Sequence, residues 1–158
     1  MNLPISLRIL YLPEIFINDL DKILPRLINL EELHIPDNFS NSIVAYPPNL
    51  KKLYFVGTYE HELFNLPASL KYIQLVCYMH YSLKALLNSN VEHVNLYEDK
   101  YISIVHNLPK SLKKLSIIET HPELYQIEKM YHNIEIEKLP DYDFREEIIS
   151  SMRSPISW

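Results

Sequence analysis

Leu50-Lys51-Lys52-Leu53-Tyr54-Phe55 sets three apolar side chains in the pattern L-x-x-L-x-L, and the pattern returns along the whole chain. The other copies are Leu7-Leu10-Leu12, Leu30-Leu33-Ile35, Leu70-Ile73-Leu75, Val91-Val94-Leu96, Leu112-Leu115-Ile117 and, most degenerate, Tyr131-Ile134-Ile136. Their first positions lie 23, 20, 20, 21, 21 and 19 residues apart. Within the quoted stretch, alternation from Lys52 onward turns Leu53 and Phe55 inward and Lys52, Tyr54 and Val56 outward, as on a strand. A unit this short cannot bury its own apolar edge. Each strand must therefore stack on the next, and the chain must coil as a solenoid.

Strands repeated in the same sense are parallel, so the residues between them return across the other side as a convex wall. The expected fold is α/β: a leucine-rich-repeat solenoid of about seven repeats, with a parallel concave β-sheet and a mixed helical and irregular convex side. Residues 1–140 hold the repeats. Residues 141–158 break the period and read as a C-terminal capping segment of the same domain, with a short amphipathic helix over 143–149. On the convex side, Thr120-His121-Pro122-Glu123 has the form of a helix start ahead of Leu124, Ile127 and Met130. Residues 18–24 and 81–87 also have helical spacing, whereas 38–45 and 58–65 read as shorter and less regular. Three residues beyond the last apolar strand position stand Asn38, Thr58, Asp99 and Thr120, with Ile15 and Tyr78 as the exceptions. The polar side chains there are expected to bond turn backbone.

With 158 residues and 47% hydrophobic content, the chain suits one domain with a continuous core. A net charge of -5 argues against nucleic acid as a partner. The single cysteine, Cys77, excludes an intramolecular disulfide and suits a reducing compartment. The first residues run directly into a repeat, without a basic region and long apolar run, and no apolar stretch is long enough for a bilayer. The expectation is a cytoplasmic protein with no membrane partner. Against one glycine stand 11 prolines, of which Pro4, Pro25, Pro47, Pro48, Pro67 and Pro109 fall just ahead of strands and stop the preceding convex segment.

Constellations that could carry chemistry are weak. Cys77 and His80 have no second pair at zinc-site separation, and His34 and His93 share a sheet face too many strands apart to share an ion. The carboxylate pairs Glu31-Glu32, Glu98-Asp99 and Glu146-Glu147 are sequence neighbours among 20 acidic residues. Gly57 stands alone, so there is no glycine-rich phosphate loop. No catalytic, cofactor-binding or metal residue is expected, and the chain does not read as an enzyme. Lys51-Lys52 and Lys113-Lys114 share columns with Glu31-Glu32 and Glu92, giving a mixed-sign surface.

Stacking aligns the outward residues into columns. One reads Tyr11, His34, Tyr54, Gln74, Asn95, Ser116, Glu135, and its neighbour reads Ile9, Glu32, Lys52, Tyr72, His93, Lys114, Asn133. Aromatics exposed on a rigid sheet offer contact area at low entropic cost. The candidate partner-binding residues on the concave face are Tyr11, His34, Lys52, Tyr54, Tyr72, Gln74, His93, Asn95, Tyr97 and Lys114, with the four tyrosines as anchors.

The segments Leu66-Pro67-Ala68-Ser69-Leu70-Lys71-Tyr72-Ile73 and Leu108-Pro109-Lys110-Ser111-Leu112-Lys113-Lys114-Leu115 share the phrase L-P-x-S-L-K-x-L, which also opens the chain at Leu3. In this the chain resembles the FNIP-type leucine-rich repeats abundant in amoebae and giant DNA viruses, over about residues 3–139. Residues 37–43 look like a worn copy of that family's phenylalanine-asparagine segment, and Asn88-Ser89-Asn90-Val91 has lost the proline. The resemblance implies an intracellular protein, in host cytoplasm if viral. In amoebal viruses such repeats often follow an F-box, which implies substrate recognition for a ubiquitin ligase; no F-box is expected ahead of the first repeat here. The expected function is a non-catalytic protein-binding module. The alternatives are an adaptor in ubiquitin-dependent degradation and a structural protein that self-associates through its N-terminal edge strand.

Overall fold

The computed structural model describes residues 3–13, 20–37, 39–57, 59, 61–75, 84–97, 104 and 106–140. Seven strands follow one another in chain order: β1 (Ile9–Tyr11), β2 (Glu32–Ile35), β3 (Lys52–Phe55), β4 (Tyr72–Leu75), β5 (His93–Leu96), β6 (Lys114–Ile118) and β7 (Glu135–Leu139). They form a single sheet in the order of the sequence, and every neighbouring pair is parallel. The register is tied just ahead of β2 to β6, where two successive N–H groups converge on one carbonyl of the preceding turn. Glu31 and Glu32 share the carbonyl of Arg8, Lys51 and Lys52 that of Glu31, Lys71 and Tyr72 that of Lys51, Glu92 and His93 that of Lys71, and Lys113 and Lys114 that of Glu92.

This register aligns the inward residues into apolar columns. Leu33, Leu53, Ile73, Val94 and Leu115 form one, and Ile35, Phe55, Leu75, Leu96 and Ile117 form the next. All are buried and belong to one core cluster with convex-side residues of each return, among them Leu24, Ile43, Tyr59, Leu86, Ile104 and Ile127. Each such aliphatic side chain contributes about 1.5–3 kcal/mol on burial, but only when the next turn covers it.

The turn ahead of β1, β3, β4 and β6 is built around a proline of the repeated phrase. The carbonyls of Pro4, Pro47, Pro67 and Pro109 accept from the N–H of Leu7, Leu50, Leu70 and Leu112, at 3.0–3.2 Å. That turn delivers the residue before the leucine onto the previous repeat. Asn29 Nδ2 donates to the Ile5 carbonyl at 3.0 Å, Asn49 Nδ2 to Ile28 at 2.8 Å and Asn90 Nδ2 to Ala68 at 3.1 Å. Ser69 Oγ reaches the carbonyls of Pro48 and Leu50 at 2.8 and 2.7 Å, and Ser111 Oγ reaches those of Ser89 and Val91. Where the proline is lost, Val91 N–H turns to the Ser89 hydroxyl at 3.3 Å. The asparagine or serine just before the first apolar position of a repeat is thus a rung of a hydrogen-bonded ladder between turns. The expected ladder three residues past the strands lies mostly outside the described residues, as do Asn38, Thr58, Asp99, Ile15 and Tyr78, and Thr120 is exposed.

The convex side holds short helices: α1 (Leu20–Ile23), continued by a 3-10 turn at Leu24–Arg26, α2 (Lys84–Leu87) and α3 (Leu124–Met130). The expected capping helix over 143–149 lies outside the described residues. At α3 the start differs from expectation: Glu123 makes no side-chain cap, and its own N–H bonds to Nδ1 of His121 at 3.1 Å. Glu123 instead spends its carboxylate on the N–H of Ile104, at 2.8 Å, tying one return to the next. Met130, expected on the buried face, is 49% exposed; at helical pitch Tyr131 takes that place against Leu124 and Ile127.

That same turn of helix moves the last strand. Tyr131 N–H bonds to the Ile127 carbonyl, so Tyr131 closes the helix and does not open the seventh strand unit. Ile136 pairs with Leu115, and Lys138, not an apolar residue, pairs with Ile117 and reaches Glu128 of α3 at 2.8 Å. The columns are corrected accordingly: Glu135 lies beside Lys114, and Glu137 beside Ser116. The two-residue shift preserves which face each residue takes.

Gly57 follows β3, and a Cβ built there would lie 2.0 Å from Asp37 Oδ1 and 2.4 Å from Asp37 Cβ. Two predictions follow from these contacts. Ser69→Ala leaves two carbonyls short of a donor and lowers stability by about 1 kcal/mol, read from the urea midpoint. Gly57→Ala lowers it by about 1–3 kcal/mol through overpacking, and the loss shrinks in an Asp37→Gly background, because the Asp37 Cβ itself stands in the way.

Candidate recognition face

The ten candidate residues lie on the outward face, on β1 to β6 or, for Tyr97, just past β5. Their register is fixed: Tyr11, His34, Tyr54, Gln74, Asn95 and Ser116 form one column, and Ile9, Glu32, Lys52, Tyr72, His93 and Lys114 the next. At a strand spacing of about 4.8 Å, planar side chains in one column stand close enough to stack. Tyr11 stacks on His34 with ring centroids 4.0 Å apart, and His34 on Tyr54 at 4.3 Å with the rings 2° from parallel. Tyr54 tilts against Tyr72 at 5.1 Å, and Tyr72 meets His93 edge-on at 4.9 Å. One file of rings therefore crosses from the first column to the second between β3 and β4.

The stack changes what outward means. His34, Gln74 and Ser116 are only 7%, 6% and 1% exposed, and Val56, expected to face solvent, is buried as well. Alternation along the strands holds, but side chains one strand away lie over His34 (Tyr11 and Tyr54) and beside Ser116 (His93 and Glu137). Tyr11 and Ile9, on the edge strand β1, are exposed. The tyrosines at 54, 72 and 97 are half-buried, each presenting part of its ring.

Hydrogen bonds lock the polar ends. His34 Nε2 donates to Glu32 at 2.8 Å, and Lys52 holds the other oxygen of that carboxylate at 3.3 Å. Tyr72 donates its hydroxyl to Gln74 Oε1 at 3.1 Å and accepts from Asn95 Nδ2 at 3.0 Å, while Asn95 also reaches Tyr97 at 3.4 Å. At the far end His93 Nε2 lies 3.3 Å from Ser116 Oγ, which donates to Glu137 at 2.7 Å, and Lys114 pairs with Glu135 and Glu137. Glu32, Ser116 and Glu137 were not among the candidates, yet they orient those that were. Glu32 and Ser116 already stood in the columns; Glu137 needed a spacing of 21 residues after Ser116 that the apolar pattern of repeat seven obscures.

Titration follows from this packing. Burial drives the Tyr54 hydroxyl up to about 12 and that of Tyr72 higher still, so both stay neutral hydrogen-bonding groups at ordinary pH. Burial also lowers His34 below 6.5, and the opposing Glu32 contact does not restore it. With Nε2 donating, the neutral ring leaves Nδ1 as an acceptor, and neither Nδ1 nor Asn95 Oδ1 has a hydrogen-bond partner among the described residues. His93 is lowered by burial and by Lys114.

Among the described residues no group of three or more His, Cys, Asp or Glu is placed to hold a metal ion, and Cys77 and His80 lie outside them. No helix among them is long and apolar enough to cross a membrane. No family model, no curated protein and no solved structure matches this chain.

A histidine kept neutral by folding makes stability depend on pH in a fixed direction. The unfolded chain binds protons at His34 and His93 from about pH 6.5 downward while the folded chain resists, so stability is full above that value and falls below it. Glu32 and Glu137, held below 4.5 in the fold, add a second loss at lower pH. His34→Phe preserves the stack between Tyr11 and Tyr54 and removes one titrating ring, so urea midpoints measured between about pH 7 and 5.5 should fall less than in the parent chain.

Proposed function

We propose that this chain is a leucine-rich-repeat solenoid of the FNIP type and acts as a non-catalytic protein-binding module, docking a partner on the outward face of its sheet. The repeat assignment is supported by the L-x-x-L-x-L comb, the L-P-x-S-L phrase and strands that follow one another in parallel. The observation that carries the function is the file Tyr11–His34–Tyr54–Tyr72–His93. Its rings are ordered before any partner arrives, so binding immobilises little that was free. Aromatic pairs of this kind contribute about 0.5–1.5 kcal/mol each beyond their buried area, which makes the face rigid as well as sticky. Tyrosine and histidine with oriented polar tips suit a protein surface that mixes apolar and hydrogen-bonding groups.

A second reading draws on the edge strand. Ile9 and Tyr11 on β1 are 48% and 42% exposed, and Ile5 just ahead is 60% exposed. An apolar edge of this kind favours pairing with another copy of the chain.

Quantitative affinity purification from the native cell type tests both. The intact chain is compared with a Tyr54→Ala, Tyr72→Ala, His93→Ala variant shown to be folded by circular dichroism. A discrete partner should be captured by the intact chain and reduced at least about tenfold by the variant. Equal capture by both would sink the outward-face reading. Recovery of nothing but the chain itself would leave self-association through β1 as the function. Ligase subunits among the captured proteins would assign the adaptor role in ubiquitin-dependent degradation that the family resemblance implies.

A further inference from the structure

One position ahead of the strands runs a charged column that the recognition face does not use: Arg8, Glu31, Lys51, Lys71, Glu92, Lys113. The shared backbone carbonyls place each beside the next. Ion pairs divide the column into two triplets. Glu31 meets Arg8 at 3.6 Å through Oε1 and Lys51 at 3.0 Å through Oε2. Glu92 meets Lys71 at 2.8 Å through Oε1 and Lys113 through Oε2. Each carboxylate thus has both oxygens engaged, and the signs along the column read plus, minus, plus, then plus, minus, plus. The step from Lys51 to Lys71 is where two cations on adjacent turns follow one another, with no carboxylate among the described residues bridging them. Like charges placed opposite each other across neighbouring strands repel.

An open groove of about 420 Å³ lies at this step, and its walls include Arg8, Lys51 and Lys71 against a single acid, Glu31. Its floor is stiff, because Asn49 and Ser69 are committed to the carbonyls of the preceding turn. Ile28, 45% exposed, adds an apolar wall. We propose that the Lys51–Lys71 step is a carboxylate-binding site that receives an acidic side chain of a protein partner, whose oxygens would complete the alternation of charge. The source is a polypeptide because an exposed ammonium holds a free anion weakly in water, whereas a segment docked on the neighbouring face brings its carboxylate at high effective concentration. Lys52, one residue on from Lys51, is itself on the outward face, so the groove lies beside the end of that face at which the strands begin. The proposal rests on the protein-binding reading and adds the chemistry of one contact to it.

The test is fluorescence anisotropy of a fluorescein-labelled peptide alternating glutamate with serine, at low ionic strength, where surface charge is least screened. The intact chain should bind it. A Lys51→Gln, Lys71→Gln variant should bind roughly tenfold more weakly. A Lys110→Gln, Lys129→Gln variant, with the same loss of net charge at other exposed positions, should bind as the intact chain does. Absence of peptide binding, or equal loss in both variants, would overturn the proposal, and so would displacement by inorganic phosphate at the concentration at which the peptide itself saturates. Peptide binding that persists in the Tyr54→Ala, Tyr72→Ala, His93→Ala variant supports the carboxylate site even where partner capture has failed, which separates the two readings.

Discussion

The interaction on which the rest of this chain depends is the shared carbonyl ahead of β2 to β6. A strand of three to five residues has few ladder bonds with which to hold its neighbour in place. Two N–H groups closing on one carbonyl pin the first residue of each of these strands against the first residue of the one before, and the columns from β1 to β6 follow from that pin. Inward, it stacks leucine on leucine so that each turn seals the core of its neighbour. Outward, it brings rings of successive turns to stacking distance. Ahead of the strands, it lines up the alternating ion pairs.

Much of this was legible in the sequence, because a comb of leucines repeated at a nearly constant interval admits few arrangements. The seventh strand was not, and the reason is physical. Tyr131 and Ile134 satisfy the apolar pattern, but Tyr131 is spent as the last buried contact of α3, and the strand is set by backbone bonds that place Ile136 beside Leu115. Apolar spacing reports burial without saying which element does the burying. The serine and asparagine ladder was present in the phrase L-P-x-S-L all along, but its partner carbonyls lie about twenty residues away, and no local rule joins them. The face that carries the candidate residues could be named from alternation alone, whereas their exposure could not. His34 is an outward residue and yet nearly sealed, since what covers it sits one strand away on either side.

The outward face therefore joins two demands that usually compete. Rings that stack on one another stabilise the coil, and the same rings present edges and hydroxyls to whatever lies above. Burial by neighbours keeps the tyrosine hydroxyls protonated and the histidines neutral, so the surface offers hydrogen-bonding groups of low charge, framed by paired lysines and glutamates. Acidification works against this arrangement at the point where it is most tightly packed.

Among the described residues the bonds that join one turn to the next, whether ladder, serine or asparagine, connect neighbouring turns and never skip one. A pull applied to the two ends of the stack would load these junctions in series, so that each bears the whole force and the weakest parts first. β1 meets β2 through three residue pairs and β6 meets β7 through five. Under tension the molecule should open like a spring losing coils from its first turn, with the stack of Tyr11 on His34 parting before the rings of β3 to β5 and the junction of β6 with β7 the last to separate.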